Sequence, residues 1–519
     1  MRSRLTLLSI CSLLSISAAT QDLSSSDSVI VNANHIFNTI HDSLRQWGSS
    51  LHHNGMSFFL ATVPAGTQLY HGTSKSSPVI GTEWLAFEPE HAMVFARPHG
   101  PPPGGHNGDD DKDGHGGPPF PDGENRKGPE GHRAKPLRLL YVDGMSAAKT
   151  KKGTLDSQDV LLFNGTIEEN RGMGGEGDRA KKACEMAEDE WAGRIDGLLR
   201  MEAGFEIILC KFERDLTPIR IIQVNSSDQP GAMGKDKRPH PPSRRDYENK
   251  RKGPGGPPGG PGGPGGGPGG PGGHGPDSSR WMRAVAARYN GIGANRVSLN
   301  YDKFVSAFAY ELDLFPESTT LPRLKHLNTS DLTTIQKELS SMILTTDATE
   351  ISWNWQATTD MILTRYSDEL SYLASGKFLS IESLQEHIEI LLSPFIDYSA
   401  RDSTEEAERC ATQFLPLQLQ TAPTVSARAV HAVAHKVCST LLDAGAESDL
   451  KSAVKRVQAL VEELDWTTWK QCRGCADNEI CVVPIWPMGT VSDYEHPKCR
   501  DASNPYDFDG EGYWGGFRP

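Results

Sequence analysis

A run of glycine and proline divides the chain and limits which parts of it can fold. The segment 253–276 contains 15 Gly, 8 Pro and one His in 24 residues. A segment of this composition has no side chains with which to build a core, and it is typical of interdomain linkers. Its register slips at Gly265-Gly266-Gly267, which disfavours the strict repeat of a collagen triple helix. Because polar and basic residues precede it, we predict a linker at 226–278.

The regions on either side of this linker differ in their patterns. Before it, 28–225 combines short apolar runs with one helical segment, which indicates an α+β fold. After it, 279–470 carries helical periodicity and few Gly or Pro residues inside the periodic segments, which predicts a mainly helical domain. A segment rich in Gly, Pro, His and Asp at 97–135 interrupts the first region and is predicted to be a disordered surface insertion.

The apolar runs and periodic segments give specific element predictions. The predicted strands are Met56–Val63, Gln68–Tyr70, Trp84–Phe87, Leu137–Val142, Val160–Phe163, Phe205–Lys211 and Pro218–Val224. The predicted helices are Arg179–Met201 before the linker and Ser330–Leu344, Ala357–Ala374, Ser380–Leu392, Ala427–Leu442 and Ser448–Leu464 after it.

The N-terminus has the pattern of a secretory signal peptide. Two arginines precede an apolar stretch at 5–16, and small residues follow at 17–20. The apolar stretch is shorter than the roughly 20 residues that a membrane-spanning helix needs. We therefore expect cleavage of residues 1–20, a secreted protein and no later membrane span. Glycosylation sequons agree with a secreted glycoprotein; they lie at Asn164, Asn225 and Asn328.

The cysteine count agrees with an oxidising compartment. Of nine cysteines, Cys11 lies in the predicted signal, so eight remain and can pair. Proximity in sequence predicts the pairs Cys184–Cys210 and Cys410–Cys438. The last four cysteines, in a Cys-rich tail at 471–519, are expected to form a disulfide knot. Zinc is the alternative for them because Cys472-Arg473-Gly474-Cys475 has ligand spacing.

The acidic charge balance excludes some classes of partner. The net charge is −14, and removal of the two arginines of the predicted signal makes it −16. A strongly negative chain is disfavoured for binding nucleic-acid phosphates and anionic membranes. We therefore expect no nucleic-acid partner.

Three short motifs in the first region suggest a chemistry. Leu69-Tyr70-His71-Gly72-Thr73 predicts a strand that ends in His-Gly-Thr. The following strand and helix carry Trp84 and Phe95, two aromatic residues that could flank one flat ligand. The third motif is Glu206, a carboxylate inside the apolar run 204–209.

Together these motifs resemble the ADP-ribosyltransferase fold, in the branch that shares the His-Tyr-Glu triad of poly(ADP-ribose) polymerases. The order of the motifs is the same, although Trp84 stands where that family has Tyr. The resemblance implies NAD as a substrate, held through its ribose and amide by His71 and the Gly72-Thr73 turn. It also implies that Trp84 and Phe95 stack on nicotinamide. The chain 29–224 also looks like uncharacterised secreted proteins of filamentous fungi.

The same resemblance assigns a catalytic role to Glu206. Cleavage of the nicotinamide–ribose bond develops positive charge on the ribose, which a nearby carboxylate stabilises. The resemblance therefore implies an NAD-dependent ADP-ribosyltransferase or NAD glycohydrolase, with an unidentified protein or small molecule as acceptor. The alternative is a non-enzymatic extracellular or cell-surface binding protein that keeps the fold. The catalytic hypothesis requires the Glu206 carboxylate to face the same cleft as His71.

Two further motifs are weaker. The segment 291–296 contains Gly-x-Gly but lacks the third glycine and the preceding strand of a nucleotide-binding loop, so we predict a turn. His431 and His435 are spaced as in a zinc protease but lack its adjacent glutamate, so we predict helix-surface histidines and no metal.

Overall fold

The computed structural model shows a mixed α+β protein with a mainly helical C-terminal part. It describes residues 30–51, 55–73, 78–96, 128–132, 136–142, 176–201, 204–222, 282–315, 322, 324, 327–347, 350, 352–421, 423–483 and 491–502. Within these ranges, no helix is long and apolar enough to cross a membrane.

A nine-stranded mixed sheet forms the centre of the described structure. Its strands are β1 (Ser57–Val63), β2 (Leu69–Tyr70), β3 (Glu83–Ala86), β4 (Gly128–His132), β5 (Leu137–Val142), β6 (Gly197–Met201), β7 (Phe205–Leu209), β8 (Thr217–Ile222) and β9 (Ser298–Ser306). The order across the sheet is β8-β4-β2-β3-β7-β6-β5-β1-β9. Strands β5 and β6 are parallel, and the other neighbouring pairs are antiparallel. A separate two-stranded sheet in the tail pairs β10 (Glu479–Val482) with β11 (Lys498–Asp501).

Helices cover the sheet and build the C-terminal part. Those that precede the linker are α1 (Ala33–Asp42), α2 (Gln46–Leu51), α3 (Pro89–Phe95), α4 (Glu176–Asp189) and α5 (Phe212–Asp215). Those that follow it are α6 (Thr329–Thr345), α7 (Trp355–Ala374), α8 (Ile381–Leu392), α9 (Ser403–Thr412), α10 (Leu417–Thr421), α11 (Val425–Ala446), α12 (Leu450–Leu464) and α13 (Val491–Glu495).

Most of the predicted elements are present at nearly the predicted bounds. Strands β1, β2, β3, β5, β7 and β8 and helices α6, α7, α8, α11 and α12 are confirmed. The predicted strand at 160–163, the signal at 1–20 and the linker at 226–278 lie outside the described residues.

The predicted helix at 179–201 is wrong in its second half. Helix α4 ends at Asp189, and Gly197–Met201 forms β6 in the middle of the sheet. The backbone of Ala192 has a φ of 51°, a left-handed conformation that ends the helical path. The helical periodicity continued through Leu198 because all five residues of β6 are buried, so no polar alternation marked the strand.

The predicted insertion also contains one strand. Residues 128–132, inside the predicted range 97–135, form β4 between β8 and β2. The apolar periodicity used for the prediction is absent there, since this strand reads Gly-Pro-Glu-Gly-His.

One strand from beyond the linker completes the sheet. Strand β9 pairs antiparallel with β1, and Phe59 of β1 stacks on Phe304 of β9 with ring centres 4.7 Å apart. A single cluster of buried apolar residues extends from the sheet into helices α6 to α12. The predicted regions 28–225 and 279–470 therefore share a sheet and a hydrophobic core.

Helix α1 also joins the two regions. Arg45, just after α1, donates to both carboxylate oxygens of Asp360 in α7, at 2.8 and 2.7 Å. His41 lies 3.0 Å from the same carboxylate. At the other side of α1, Asn38 donates to the carbonyl oxygen of Leu464 at the end of α12, at 3.0 Å.

Four disulfides connect the eight cysteines that follow Cys11. The predicted pairs Cys184–Cys210 and Cys410–Cys438 are confirmed. The tail contains Cys472–Cys481 and Cys475–Cys499, which agrees with the predicted disulfide knot. The sulfur atoms of Cys472, Cys475 and Cys499 lie within 4.8 Å of one another, but each is already bonded in a disulfide.

Candidate functional site

The three sequence motifs lie on three neighbouring strands. Tyr70 of β2 pairs with Ala86 of β3, and Ala86 pairs on its other side with Glu206 of β7. These residues form one row across the sheet, and two strand spacings put the backbones of Tyr70 and Glu206 about 10 Å apart. Because residues directly paired across neighbouring strands point to the same face, the row places Tyr70 on the face of Glu206. His71 follows the end of β2.

His71 is held within the sheet and against α5. Its Nδ1 atom lies 2.7 Å from the carbonyl oxygen of Trp84, and its ring packs edge-on against Phe212 with centres 5.4 Å apart. Only 7% of His71 is exposed, whereas Trp84 is half-buried. In the described structure His71 makes no hydrogen bond or ion pair with Glu206.

Gly72 and Thr73 come after β2 and His71, and Gly72 packs closely against α3. A Cβ atom added to Gly72 would lie 1.8 Å from the carbonyl oxygen of Ala92 in α3, so this position requires glycine. Thr73 is half-buried. Phe95 is the last residue of α3, and its side chain lies outside the described part. Gly72 therefore has a packing role, because it lets α3 approach the chain that leaves β2.

Glu206 is engaged on both carboxylate oxygens. Its Oε2 atom accepts hydrogen bonds from Nη2 and Nε of Arg200 in β6, at 2.8 and 3.2 Å. Its Oε1 atom lies 3.1 Å from Nε2 of His91 in α3. Glu206, Arg200 and His91 are 4%, 2% and 1% exposed. We call these three residues the buried carboxylate cluster.

The cluster keeps Glu206 ionised despite its burial. Burial alone raises the pKa of a carboxyl group, because it removes the solvation of the charged form. For Glu206, the charges of Arg200 and His91 and their hydrogen bonds outweigh this effect and lower the pKa to about 2. The carboxylate is therefore charged at neutral pH and is neutralised inside the protein.

Sequence analysis did not identify the partners of Glu206. Arg200 stands in the apolar segment Gly197–Met201, where a charged residue in a buried strand indicates an ion pair. The helical periodicity of 179–201 conceals that signal. His91 is placed by the short helix α3, and Gly204 makes room for it. Gly204 has a φ of 124°, and an added Cβ would lie 2.9 Å from the His91 ring.

A second charged cluster lies at the start of α3. Glu88, which is 4% exposed, precedes α3 and accepts hydrogen bonds on Oε1 from two arginines that follow the linker. Nε of Arg288 lies at 2.5 Å and Nη2 of Arg296 at 3.4 Å. Arg296 also donates to the carbonyl oxygen of Phe87 and lies over its ring, 5.2 Å from the centre. We call Glu88, Arg288 and Arg296 the arginine cluster.

The turn predicted at 291–296 and the helix predicted to carry His431 and His435 are both present. Residues 291–296 form a turn, in which Ala294 and Asn295 take left-handed conformations with φ of 55° and 52°. His431 is half-buried on α11 and lies 3.1 Å from the carboxylate of Glu408.

Comparison with known proteins places similarity in the first half of the chain. A family model described as the YPL277C N-terminal domain matches residues 26–137 and 132–234. The Saccharomyces cerevisiae uncharacterized protein YPL277C is 35% identical over 223 residues, which cover 37% of this chain and 44% of that protein. The uncharacterized protein YOR389W of the same yeast is 35% identical over 226 residues, which cover 37% of this chain and 34% of that protein.

The similarity covers only part of this chain and of each relative. This chain spans less than half the length of either curated relative. No solved structure matches the chain. The N-terminal region is therefore similar to uncharacterised fungal proteins, and its fold is mixed α+β.

Proposed function

We propose that this protein functions by binding, and that Glu206 stabilises the fold instead of cleaving NAD. The observation that carries this proposal is the ion pair between Glu206 and Arg200, with a shortest distance of 2.8 Å. The protein is then an exported binding protein that retains the three sequence motifs but does not catalyse NAD cleavage.

Both oxygen atoms of the Glu206 carboxylate have partners inside the protein. A carboxylate that stabilises positive charge on a ribose must accept a hydrogen bond from the substrate inside an accessible cleft. Oε2 of Glu206 already accepts from Arg200, and Oε1 faces His91. Because Glu206 is only 4% exposed, a ribose hydroxyl could reach its carboxylate only if the buried cluster opened. Opening would leave the charges of the cluster without their compensation.

The export part of the proposal is supported by the cysteines. All eight cysteines after Cys11 are paired, a pattern that persists in oxidising compartments and is rare in the cytosol. Together with the predicted signal at 1–20, this favours secretion over retention in the cell.

A second candidate function is the NAD-dependent ADP-ribosyltransferase or NAD glycohydrolase. The observation that favours it is the adjacency of the motif-bearing strands β2, β3 and β7, with Tyr70, Ala86 and Glu206 in one row. Trp84 is half-buried and leaves part of its side chain accessible to a ligand. The acceptor would be a protein or a small molecule.

One assay separates the two candidates. Purified protein, produced through a secretory host so that the disulfides form, is incubated with NAD, and released nicotinamide is quantified. The binding proposal predicts release at the rate of the protein-free blank, both for the wild type and for Glu206→Gln. Release by the wild type that is lost in a folded Glu206→Gln variant would establish the enzyme instead.

A further inference from the structure

The arginine cluster contains two positive charges and one negative charge. Two guanidinium groups converge on one oxygen atom of Glu88, so the cluster has a net charge of about +1. The side chains of Arg288 and Arg296 are 35% and 20% exposed, and Glu88 is 5% exposed. In such a half-buried setting an unbalanced charge is less screened than at an open surface.

Arg288 has hydrogen-bond donors that Glu88 does not use, on a side chain that is 35% exposed. Arg288 contacts Glu88 through Nε, and its Nη1 and Nη2 atoms make no hydrogen bond to any described residue. A guanidinium that presents two such donors matches the paired oxygen atoms of a carboxylate or a phosphate ester.

Arg296 is the second donor group of the cluster, and it responds to its neighbours. Burial of its guanidinium and, next, the charge of Arg288 lower the pKa of Arg296, while Glu88 opposes this change. Tyr70 is close enough to raise that pKa again, and its hydroxyl makes no hydrogen bond within the described structure. Glu88 follows Ala86 by two residues, between β3 and α3, so the cluster lies near the row of Tyr70, Ala86 and Glu206.

We infer that Arg288 and Arg296, held by Glu88 and flanked by Tyr70, form a binding site for a singly charged oxyanion, either a carboxylate or a phosphodiester. Such a ligand neutralises the excess charge and occupies the fork of Arg288 without displacing Glu88. The inference rests on the proposed function in one respect, since it supplies ligand chemistry to a binding protein.

The test measures stabilisation of the whole protein by simple anions. Thermal unfolding is followed in chloride, acetate and dimethyl phosphate at constant ionic strength. A ligand that binds only the native state raises the Tm, and tenfold saturation of a millimolar site gives a rise of about 2 °C or more. Acetate and dimethyl phosphate are separate arms, so the more effective anion identifies the carboxylate or the phosphodiester as the preferred chemistry.

Three variants give the expected result its specificity. Arg288→Gln removes the fork and is expected to abolish the anion-dependent rise, while Arg288→Lys keeps the charge and is expected to lower the anion affinity at least tenfold. Arg283→Gln is the matched control, because this exposed arginine lies in the same segment and contacts the carbonyl oxygen of Ala502 instead. It is expected to retain the full rise.

Glu88→Gln is expected to change the anion affinity in the opposite direction from Arg288→Gln. Removal of the internal counter-charge is expected to tighten anion binding, which a purely structural role for the cluster would not produce. Equal responses of wild type and Arg288→Lys, the absence of any anion-dependent rise in the wild type, or weaker binding by Glu88→Gln would overturn the inference. NAD hydrolysis does not enter this titration, so the inference and the proposed function fail independently.

Discussion

Nε2 of His91 in α3 lies 3.1 Å from Oε1 of Glu206 in the middle of the sheet. Through this contact a seven-residue helix, too short to be stable alone, is fixed to β7. Arg200 completes the cluster from β6, so one carboxylate connects the neighbouring strands β6 and β7 to α3, which lies about 100 residues earlier in the chain. The residue that resembles a catalytic glutamate is thus also a structural junction.

The stability contributed by Glu206 is expected to depend on pH. Its pKa is about 2 in the folded protein and near 4.5 when unfolded, so the contribution is fully present above pH 4.5. It is lost as the pH falls from about 4.5 to about 2, and amounts to about 3 kcal/mol. Free energies of unfolding for wild type and Glu206→Gln, measured across this range, should therefore converge at low pH. A difference that stays constant from pH 6 to pH 2 would contradict this assignment.

Gly72 is expected to tolerate no side chain. Gly72→Ala places a methyl group against the Ala92 carbonyl oxygen, at a nominal 1.8 Å, and must push α3 away from the sheet. We expect a loss of about 3 kcal/mol or more in the free energy of unfolding. Gly445→Ala is the control, because the added Cβ meets only Ile388 Cγ2 at 3.4 Å within helix α11. That variant should be neutral or slightly more stable. Equal stabilities of the two variants would show that α3 does not rest on Gly72.

Sequence periodicity predicted the positions of most helices and strands, but it did not predict which strands pair with one another. The helices after the linker have polar and apolar faces, and they formed where the period predicted. Strand β6 was missed because it is buried on both faces, and β9 was missed because it lies beyond the linker from its partner β1. Pairing across such a sequence distance leaves no local signal.

For the candidate site, too, the sequence predicts the strands but not the contacts between them. The apolar runs next to His71, Trp84 and Glu206 correctly predicted β2, β3 and β7. In the sheet, β3 lies between β2 and β7. Which face each side chain takes depends on register, and a shift of one residue moves a side chain to the other face. The ion pair with Arg200 depended on β6, which had been interpreted as helix, so the occupied state of Glu206 could not be anticipated.

The contact between Arg45 and Asp360 is expected to contribute modestly to stability. Burial raises the pKa of Asp360, but the hydrogen bonds and charges of His41 and Arg45 lower it to about 2. Since the Asp360 side chain is 42% exposed, solvent screens the pair, and Asp360→Asn should cost only about 1 kcal/mol.

The matched control for Asp360→Asn is Asp368→Asn in the same helix. Its carboxylate is 81% exposed and pairs with Arg473 at 3.2 Å. Urea unfolding of this variant should be within about 0.5 kcal/mol of wild type. A loss from Asp360→Asn no larger than that of its control would mean that the contact between α1 and α7 contributes nothing measurable.

The disulfide Cys184–Cys210 is expected to stabilise the sheet through its connection to α4. It joins α4 to the residue after β7 and closes a loop of 26 residues. Loss of this crosslink in a Cys184→Ser, Cys210→Ser double variant should lower the free energy of unfolding by about 3 kcal/mol. Non-reducing peptide mapping of the wild type checks the pairing itself. Detection of Cys184 linked to a different cysteine would contradict the structure.

The most direct test of the account is the free energy of unfolding of Glu206→Gln at neutral pH, measured by urea denaturation. Removal of one member of a buried ion pair leaves Arg200 uncompensated, and we expect a loss of about 3–5 kcal/mol. Glu190→Gln, an exposed substitution just after α4, should leave the value unchanged. A Glu206→Gln protein as stable as the wild type would contradict the structural role of this carboxylate and return it to the position of a candidate catalytic residue.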